Sequence, residues 1–178
     1  LLLPVSRSGD GGATLLESLF TATSAVCVTG LVVVDTPSYW SGFGEAVILG
    51  LIQVGGLGIM TLASLLGLLV SRRMGLQARL TAAAETKAVG LGDVRSVIKG
   101  VVAFTLLFEA LTALALTLRF WLGYDESPGR ALYLGVFHSV SAFNNAGFAL
   151  YSDSLVRFVD DPWICLPIAA AVISGGLG

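Results

Sequence analysis

The chain has 178 residues, of which 55% are hydrophobic and only 12% charged, with a mean hydropathy of +0.86 and a formal net charge of -2. Soluble domains carry about 25% charged residues, so half that share points to lipid as the surrounding solvent and to no nucleic-acid partner. A single histidine, His138, and two cysteines without metal-ligand spacing, Cys27 and Cys165, exclude a disulfide framework, a redox motif and a histidine-based metal or catalytic centre.

The chain opens on Leu1-Leu-Leu-Pro4 with no methionine and no basic signal-peptide region. It stops inside an apolar segment, at Ser174-Gly-Gly-Leu-Gly178. A piece of a longer membrane protein is expected. The first apolar segment, 14–25, starts on a capping box, Thr14-Leu-Leu-Glu17, and runs into Val28-Thr29-Gly30. It is too short to cross a hydrocarbon core of about 30 Å. Segment 46–70 has no charge at all and is closed by Arg72 and Arg73, so it is predicted to span. Segment 97–122 is predicted to span as well, with Lys99 and Arg119 near its ends, Trp121 as an interfacial anchor and one acid inside it, Glu109. Segment 128–143 is again half-length and starts on Ser127-Pro128, a capping serine before a first-turn proline. A third span begins at Asp161-Pro162. Half-length apolar helices beside full spans suggest re-entrant segments, whose open backbone ends must face protein or a water-filled cavity.

Charge sets the expected orientation. The 71–100 connection carries Arg72, Arg73, Arg79, Lys87, Arg95 and Lys99 against Glu85 and Asp93. The other connections and the short segments hold most of the acids. The positive-inside rule then makes the 71–100 connection cytoplasmic, and both short helices dip in from outside.

The two short segments also resemble each other. Phe20 to Leu31 lies over Phe137 to Phe148 without gaps at an offset of 117, sharing the phenylalanine, the Ser-Ala pair and the glycine. Gly55-Gly-Leu-Gly58 recurs as Gly175-Gly-Leu-Gly178 at an offset of 120. Two landmarks in one order at nearly one spacing indicate a duplicated unit. Each unit reads as an outer spanning helix, a re-entrant half-helix, an extended return through a glycine and an inner spanning helix. The division expected is 1–95 for the first unit, lacking its outer helix, and 96–178 for the second, with its inner helix cut. The fold expected is an all-α integral membrane protein with potassium-channel-like repeats, a fragment of a fourfold pseudo-symmetric pore.

The plan has a physical use. A half-helix entering from outside aims its partly negative C-terminal end at the membrane centre, which favours a dehydrating cation. The segment after it can offer backbone carbonyls in place of the ion's hydration shell, and glycine permits the φ > 0 this geometry requires. Val28, Thr29 and Gly30, and likewise Asn145, Ala146 and Gly147, fit that role by position, with a cation as the ligand and no covalent cofactor. Cys27, Asn144 and Glu109 are secondary candidates. The side chains of Asn144 and Asn145 can equally cap the helix C-terminus. His138 reads as a packing or hydrogen-bonding residue, and the Gly55 run as close helix packing. Arg119 lies too far along the helix from Glu109 to pair with it.

At Thr23-Ser-Ala-Val-Cys-Val-Thr-Gly-Leu-Val-Val-Val-Asp35, Ile52-Gln-Val-Gly-Gly-Leu-Gly-Ile-Met-Thr61 and Ser141-Ala-Phe-Asn-Asn-Ala-Gly-Phe148 the sequence resembles the Trk/Ktr/HKT superfamily of potassium transporters, most nearly the Ktr-type bacterial membrane subunit. The resemblance implies potassium uptake across the cytoplasmic (inner) membrane by channel-like permeation. It implies four units in one chain, a homodimer, and a cytosolic nucleotide-binding regulatory ring as partner. It also implies selectivity glycines at Gly30 and Gly147. The alternative is a secondary transporter with broken helices that bind a cation or small substrate near the midplane. That plan calls for inverted repeats, whereas two spans separate the two dips here and give both copies the same topology. A membrane enzyme is not expected.

Overall fold

The computed structural model describes residues 1–9, 11–72 and 92–177. Among them the chain is helical, and its only strand-like pairing is an isolated antiparallel bridge between Arg7 and Trp40. The helices are α1 (Leu15–Val26), the single turn α2 (Thr36–Tyr39), α3 (Gly42–Arg72), α4 (Gly92–Gly123), α5 (Pro128–Phe143) and α6 (Pro162–Leu177). Most of the basic connection, residues 73–91, lies outside the described residues.

The starts of the helices follow their sequence signals. Thr14 and Glu17 close a reciprocal capping box on α1: the Glu17 N–H donates to Thr14 Oγ1 at 3.3 Å and the Thr14 N–H donates to Glu17 Oε2 at 2.9 Å. The Thr14 hydroxyl and then the Tyr39 hydroxyl hold the Glu17 carboxyl down at about 2. Ser127 caps α5 ahead of Pro128. At α6 the Trp163 N–H donates to Asp161 Oδ1 at 3.0 Å.

Helix lengths separate two classes. Gly42–Ala63 and Ile98–Gly123, 22 and 26 residues, are long and apolar enough to cross a membrane; at 1.5 Å per residue they measure roughly 33 and 39 Å. The helices α1 and α5, with 12 and 16 residues, reach only about 18 and 24 Å. Leu106, Leu107, Leu111, Leu114 and Leu118 on α4 are exposed, as expected where lipid is the neighbour.

The core forms around α5, which is buried over most of its surface. Its closest neighbour is α4: a Cβ on Gly135 would lie 2.3 Å from Thr117 Oγ1 and 2.8 Å from the Ala113 carbonyl. At the C-terminal end of α4 Phe120 packs edge-on to Phe158 (centroids 5.6 Å apart), and Tyr151 meets Phe158 at 5.1 Å and His138 at 5.5 Å. The same level is tied by Asp161, which accepts from Arg119 Nε at 2.7 Å and from the Tyr124 hydroxyl at 2.8 Å. Trp121, Tyr124 and Trp163 lie exposed beside this tie, where an aromatic belt is expected at a membrane interface.

The glycine runs settle into matching contacts. A Cβ on Gly55 would stand 2.0 Å from the carbonyl oxygen of Val26, the last residue of α1. A Cβ on Gly175 would stand 1.7 Å from the carbonyl oxygen of Phe143, the last residue of α5. The helices α3 and α6 therefore press their backbones on the ends of α1 and α5, as close packing by small residues predicts.

Gly55→Ala should destabilise the protein by roughly 1–3 kcal/mol through overpacking against backbone. Gly58→Ala, where a Cβ meets nothing within 4 Å, should not lower the unfolding midpoint in detergent, since alanine is the better helix former. Burial raises the Asp161 carboxyl, but the hydrogen bonds from Arg119 and Tyr124 outweigh it and hold the group below its ordinary range. Its contribution to stability is complete above the ordinary aspartate value of about 3.9 and is lost as pH falls through the depressed one. Thermal melts between pH 7 and pH 3 should show a shallower acid limb for Asp161→Asn than for the parent.

Candidate functional site

The two short helices end in the same way. α1 stops at Val26, Cys27 takes φ -80 and ψ 0, and Val28 swings to φ 55. The Val28 N–H donates to the Ala25 carbonyl at 3.2 Å and the Thr29 N–H to the Ser24 carbonyl at 2.9 Å. This crossed pair is a Schellman closure, which satisfies two carbonyls that the helix end leaves open. α5 repeats it: Asn144 has φ -77 and ψ 0, Asn145 has φ 59, and Asn145 and Ala146 donate to Ala142 and Ser141 at 3.0 and 2.7 Å. Two residues beyond each left-handed residue the glycine also takes positive φ, 70 at Gly30 and 73 at Gly147.

The sign of φ thus alternates along each loop, positive at Val28 and Gly30 with Thr29 between them not, and positive at Asn145 and Gly147 with Ala146 between them not. Alternation of right- and left-handed residues turns successive peptide planes the same way, so that their N–H groups share one side and their carbonyls the other. Asparagine and glycine tolerate the left-handed region. Valine does not, and the conformation costs roughly 1–2 kcal/mol at a residue with a Cβ. Val28 is therefore a point of backbone strain, which persists only where its surroundings over-determine it.

The loops meet at their glycines. A Cβ on Gly30 would lie 2.4 Å from the Ala146 carbonyl oxygen and 3.2 Å from Gly147 Cα, and one on Gly147 would lie 3.6 Å from Gly30 Cα. Gly30 is thus required twice, by its dihedral and by its neighbour. Each loop is gripped by a serine of its own helix at matching positions. Ser24 Oγ pairs with Thr29 Oγ1 at 3.0 Å, and Ser141 Oγ donates to the Phe148 carbonyl at 2.6 Å. His138 adds a second grip on the second loop: Nδ1–H donates to the Leu134 carbonyl at 2.8 Å while Nε2 accepts from the Leu150 N–H at 3.3 Å. Beyond the glycines, Ser152 Oγ donates to Asp35 Oδ2 at 2.8 Å and joins the two returns.

Of the residues singled out in the sequence, Gly30, Ala146 and Gly147 come together directly, with Val28, Thr29 and Asn145 flanking them. Glu109 and Asn144 are joined to each other by a 3.0 Å hydrogen bond on the buried side of α5. Cys27 is exposed and makes no side-chain hydrogen bond among the described residues. Asn145 does act as a cap, with Nδ2 donating to the Phe143 carbonyl at 3.4 Å and the Val172 carbonyl at 3.3 Å. A cavity of about 230 Å³, lined by His138, Ser141, Gly147 and Phe148 together with Ile168 and Val172 of α6, adjoins the second loop. Three contributors escape sequence reasoning: Gln53, which lies 3.4 Å from Asn144 Nδ2, and the left-handed turns at Val28 and Asn145. An asparagine before Ala-Gly is a signal for such a turn, whereas nothing in Cys27-Val28-Thr29 announces it.

Residues 7–178 match the family described as TrkH, cation transport protein. Over 178 residues the chain is 40% identical to Ktr system potassium uptake protein B of Bacillus subtilis (strain 168), and 40% identical to the protein of the same name from Vibrio alginolyticus. It is 35% identical over 182 aligned residues to Potassium/sodium uptake protein NtpJ of Enterococcus hirae. Each alignment takes in 100% of this chain and 39% of the relative, so the chain spans about two fifths of the length of the curated relatives it matches. With the match running from Arg7 to Gly178, the chain belongs to the TrkH family of cation transport proteins.

Proposed function

We propose that the two glycine loops are two quarters of a potassium filter and that the protein takes up potassium through it by channel-like permeation. The observation that carries this reading is the matched alternation of backbone handedness at Val28–Gly30 and Asn145–Gly147, in two loops that touch at their glycines. Alternation aligns main-chain carbonyls, which are the groups that replace a potassium ion's hydration shell. Carbonyls of Val28, Thr29, Asn145 and Ala146 are the proposed ligands. The unlike side chains at these positions fit a site whose chemistry belongs to the main chain. The names of the relatives, potassium and potassium/sodium uptake proteins, agree with the substrate.

In this reading the chain comprises two pore units, 1–95 and 96–178, each with a re-entrant half-helix, and the remaining units come from the rest of the full-length chain. One face of α1 supports this: Leu15, Leu16 and Leu19 are 67%, 77% and 61% exposed. The helix α5, in the matching position, is covered by α4. The acidic loops and both filter segments face outward at the inner (cytoplasmic) membrane, and the 71–100 connection lies in the cytoplasm. A homodimer served by a cytosolic nucleotide-binding ring completes the proposed assembly.

Potassium and sodium flux through the full-length protein in proteoliposomes tests the reading. Gly30→Ser should lower K⁺/Na⁺ discrimination about tenfold, which corresponds to ~1.4 kcal/mol of differential site energy. Gly147→Ser should do less, because its Cβ meets only Gly30 Cα at 3.6 Å. Inserted Gly30→Ser protein with parental discrimination would sink the proposal. Val28→Asn, which places at the strained position the residue that the second loop uses, should raise the unfolding midpoint and stabilise by up to about 1 kcal/mol with selectivity kept.

A further inference from the structure

The span α4 holds a single acid away from its ends, Glu109, and its side chain does not face lipid. Glu109 is 7% exposed, its Oε1 accepts from Asn144 Nδ2 at 3.0 Å, and its main-chain carbonyl accepts from Ser139 Oγ at 2.6 Å. Asn144 is itself 5% exposed and donates as well to the Val140 carbonyl at 2.9 Å, while Gln53 Oε1 on α3 lies at 3.4 Å. Gly56 makes the space, since a Cβ there would stand 1.8 Å from Asn144 Oδ1. Three helices thus converge on one amide.

That amide belongs to the residue on which the second loop turns. Asn144 joins the end of α5 to Asn145, whose φ of 59 begins the alternation. Any rotation of Asn144 is passed to the next peptide plane and so to the Asn145 carbonyl. The first loop has no such device, for its counterpart Cys27 makes no side-chain hydrogen bond among the described residues. Its turn is held by Ser24 and Thr29 instead.

We propose that Glu109 is a positioning residue that acts through Asn144 to fix the second filter loop and thereby its preference for potassium over sodium. The inference rests on the filter reading above. What the loop needs from Glu109 is a hydrogen-bond acceptor at Oε1, so a neutral isostere serves. Carbonyl number and field strength decide between the two ions, and removing the Glu109 acceptor leaves the Asn144 amide with the Val140 carbonyl and only the longer contact to Gln53, which loosens the geometry that sets them.

The test is the K⁺/Na⁺ flux ratio of the full-length protein in proteoliposomes. Glu109→Gln keeps an acceptor and should hold the ratio within about twofold of the parent, whereas Glu109→Leu should lower it about tenfold. Asn144→Asp sets acceptor against acceptor and should lower the ratio similarly. Combining it with Glu109→Gln restores a donor opposite an acceptor and should recover the ratio. If Glu109→Leu fails to accumulate in the membrane, the Asn144→Asp single and double variants decide. A parental ratio in Asn144→Asp, a lowered ratio in Glu109→Gln, or no recovery in the double variant would overturn the proposal. Gly30→Ser run alongside separates the two readings: if it lowers the ratio while Asn144→Asp does not, Glu109 alone has been misassigned. If it too leaves the ratio unchanged, the filter reading fails.

Discussion

Everything distinctive in this chain depends on how a helix can stop short inside a membrane protein. A helix end leaves four carbonyls without intrahelical partners, and hydrocarbon offers none in return. Here the Schellman closure satisfies two of them at each short helix, at Ser24 and Ala25 and again at Ser141 and Ala142. The last carbonyl, of Val26 or Phe143, packs against the bare backbone of Gly55 or Gly175, and that of Phe143 also accepts from Asn145 Nδ2 at 3.4 Å. The closure demands a left-handed residue just past the helix, which starts the alternation carried on to Gly30 and Gly147. Capping of the helix and shaping of the loop are therefore one backbone event.

The two short helices and their loops agree where backbone is at stake and diverge where side chains are. Dihedrals, closing hydrogen bonds, the gripping serine and the glycine contact recur at matching positions. Outside that set little is shared. His138 replaces Thr21 and takes the Leu150 N–H, Asn144 replaces Cys27 and takes Glu109. The second loop is thus held by more side-chain bonds than the first. This division is what the proposed carbonyl site would require, because the main-chain path must be kept while its supports are free to differ.

The sequence makes the helices legible because lipid imposes so coarse a rule on them. A charge-free stretch such as 46–70 has one physical outcome, and the capping pairs Thr14/Glu17, Ser127/Pro128 and Asp161/Pro162 mark helix starts to within a residue. Close packing at Gly55 is legible for the same reason, since small residues on an apolar helix have few other uses. The partners of Glu109 are not. Asn144 lies 35 residues away and Gln53 on another helix, and no periodicity joins positions brought together by tertiary packing. Asp161, likewise, reads as a cap and turns out also to anchor Arg119.

Val28 is the hardest position to read, and magnitudes explain how it survives. A branched side chain in the left-handed region costs roughly 1–2 kcal/mol. The two closing hydrogen bonds it permits, Val28 to Ala25 and Thr29 to Ser24, return about 1 kcal/mol each when they replace bonds to water. Away from water the comparison shifts, because an unmade backbone bond there costs several kcal/mol. The strain that local propensity counts against Val28 is smaller than the cost of leaving the end of α1 open. Closure of that helix end on the buried residues Ser24 and Ala25, and not the residue's own preference, sets the conformation at Val28.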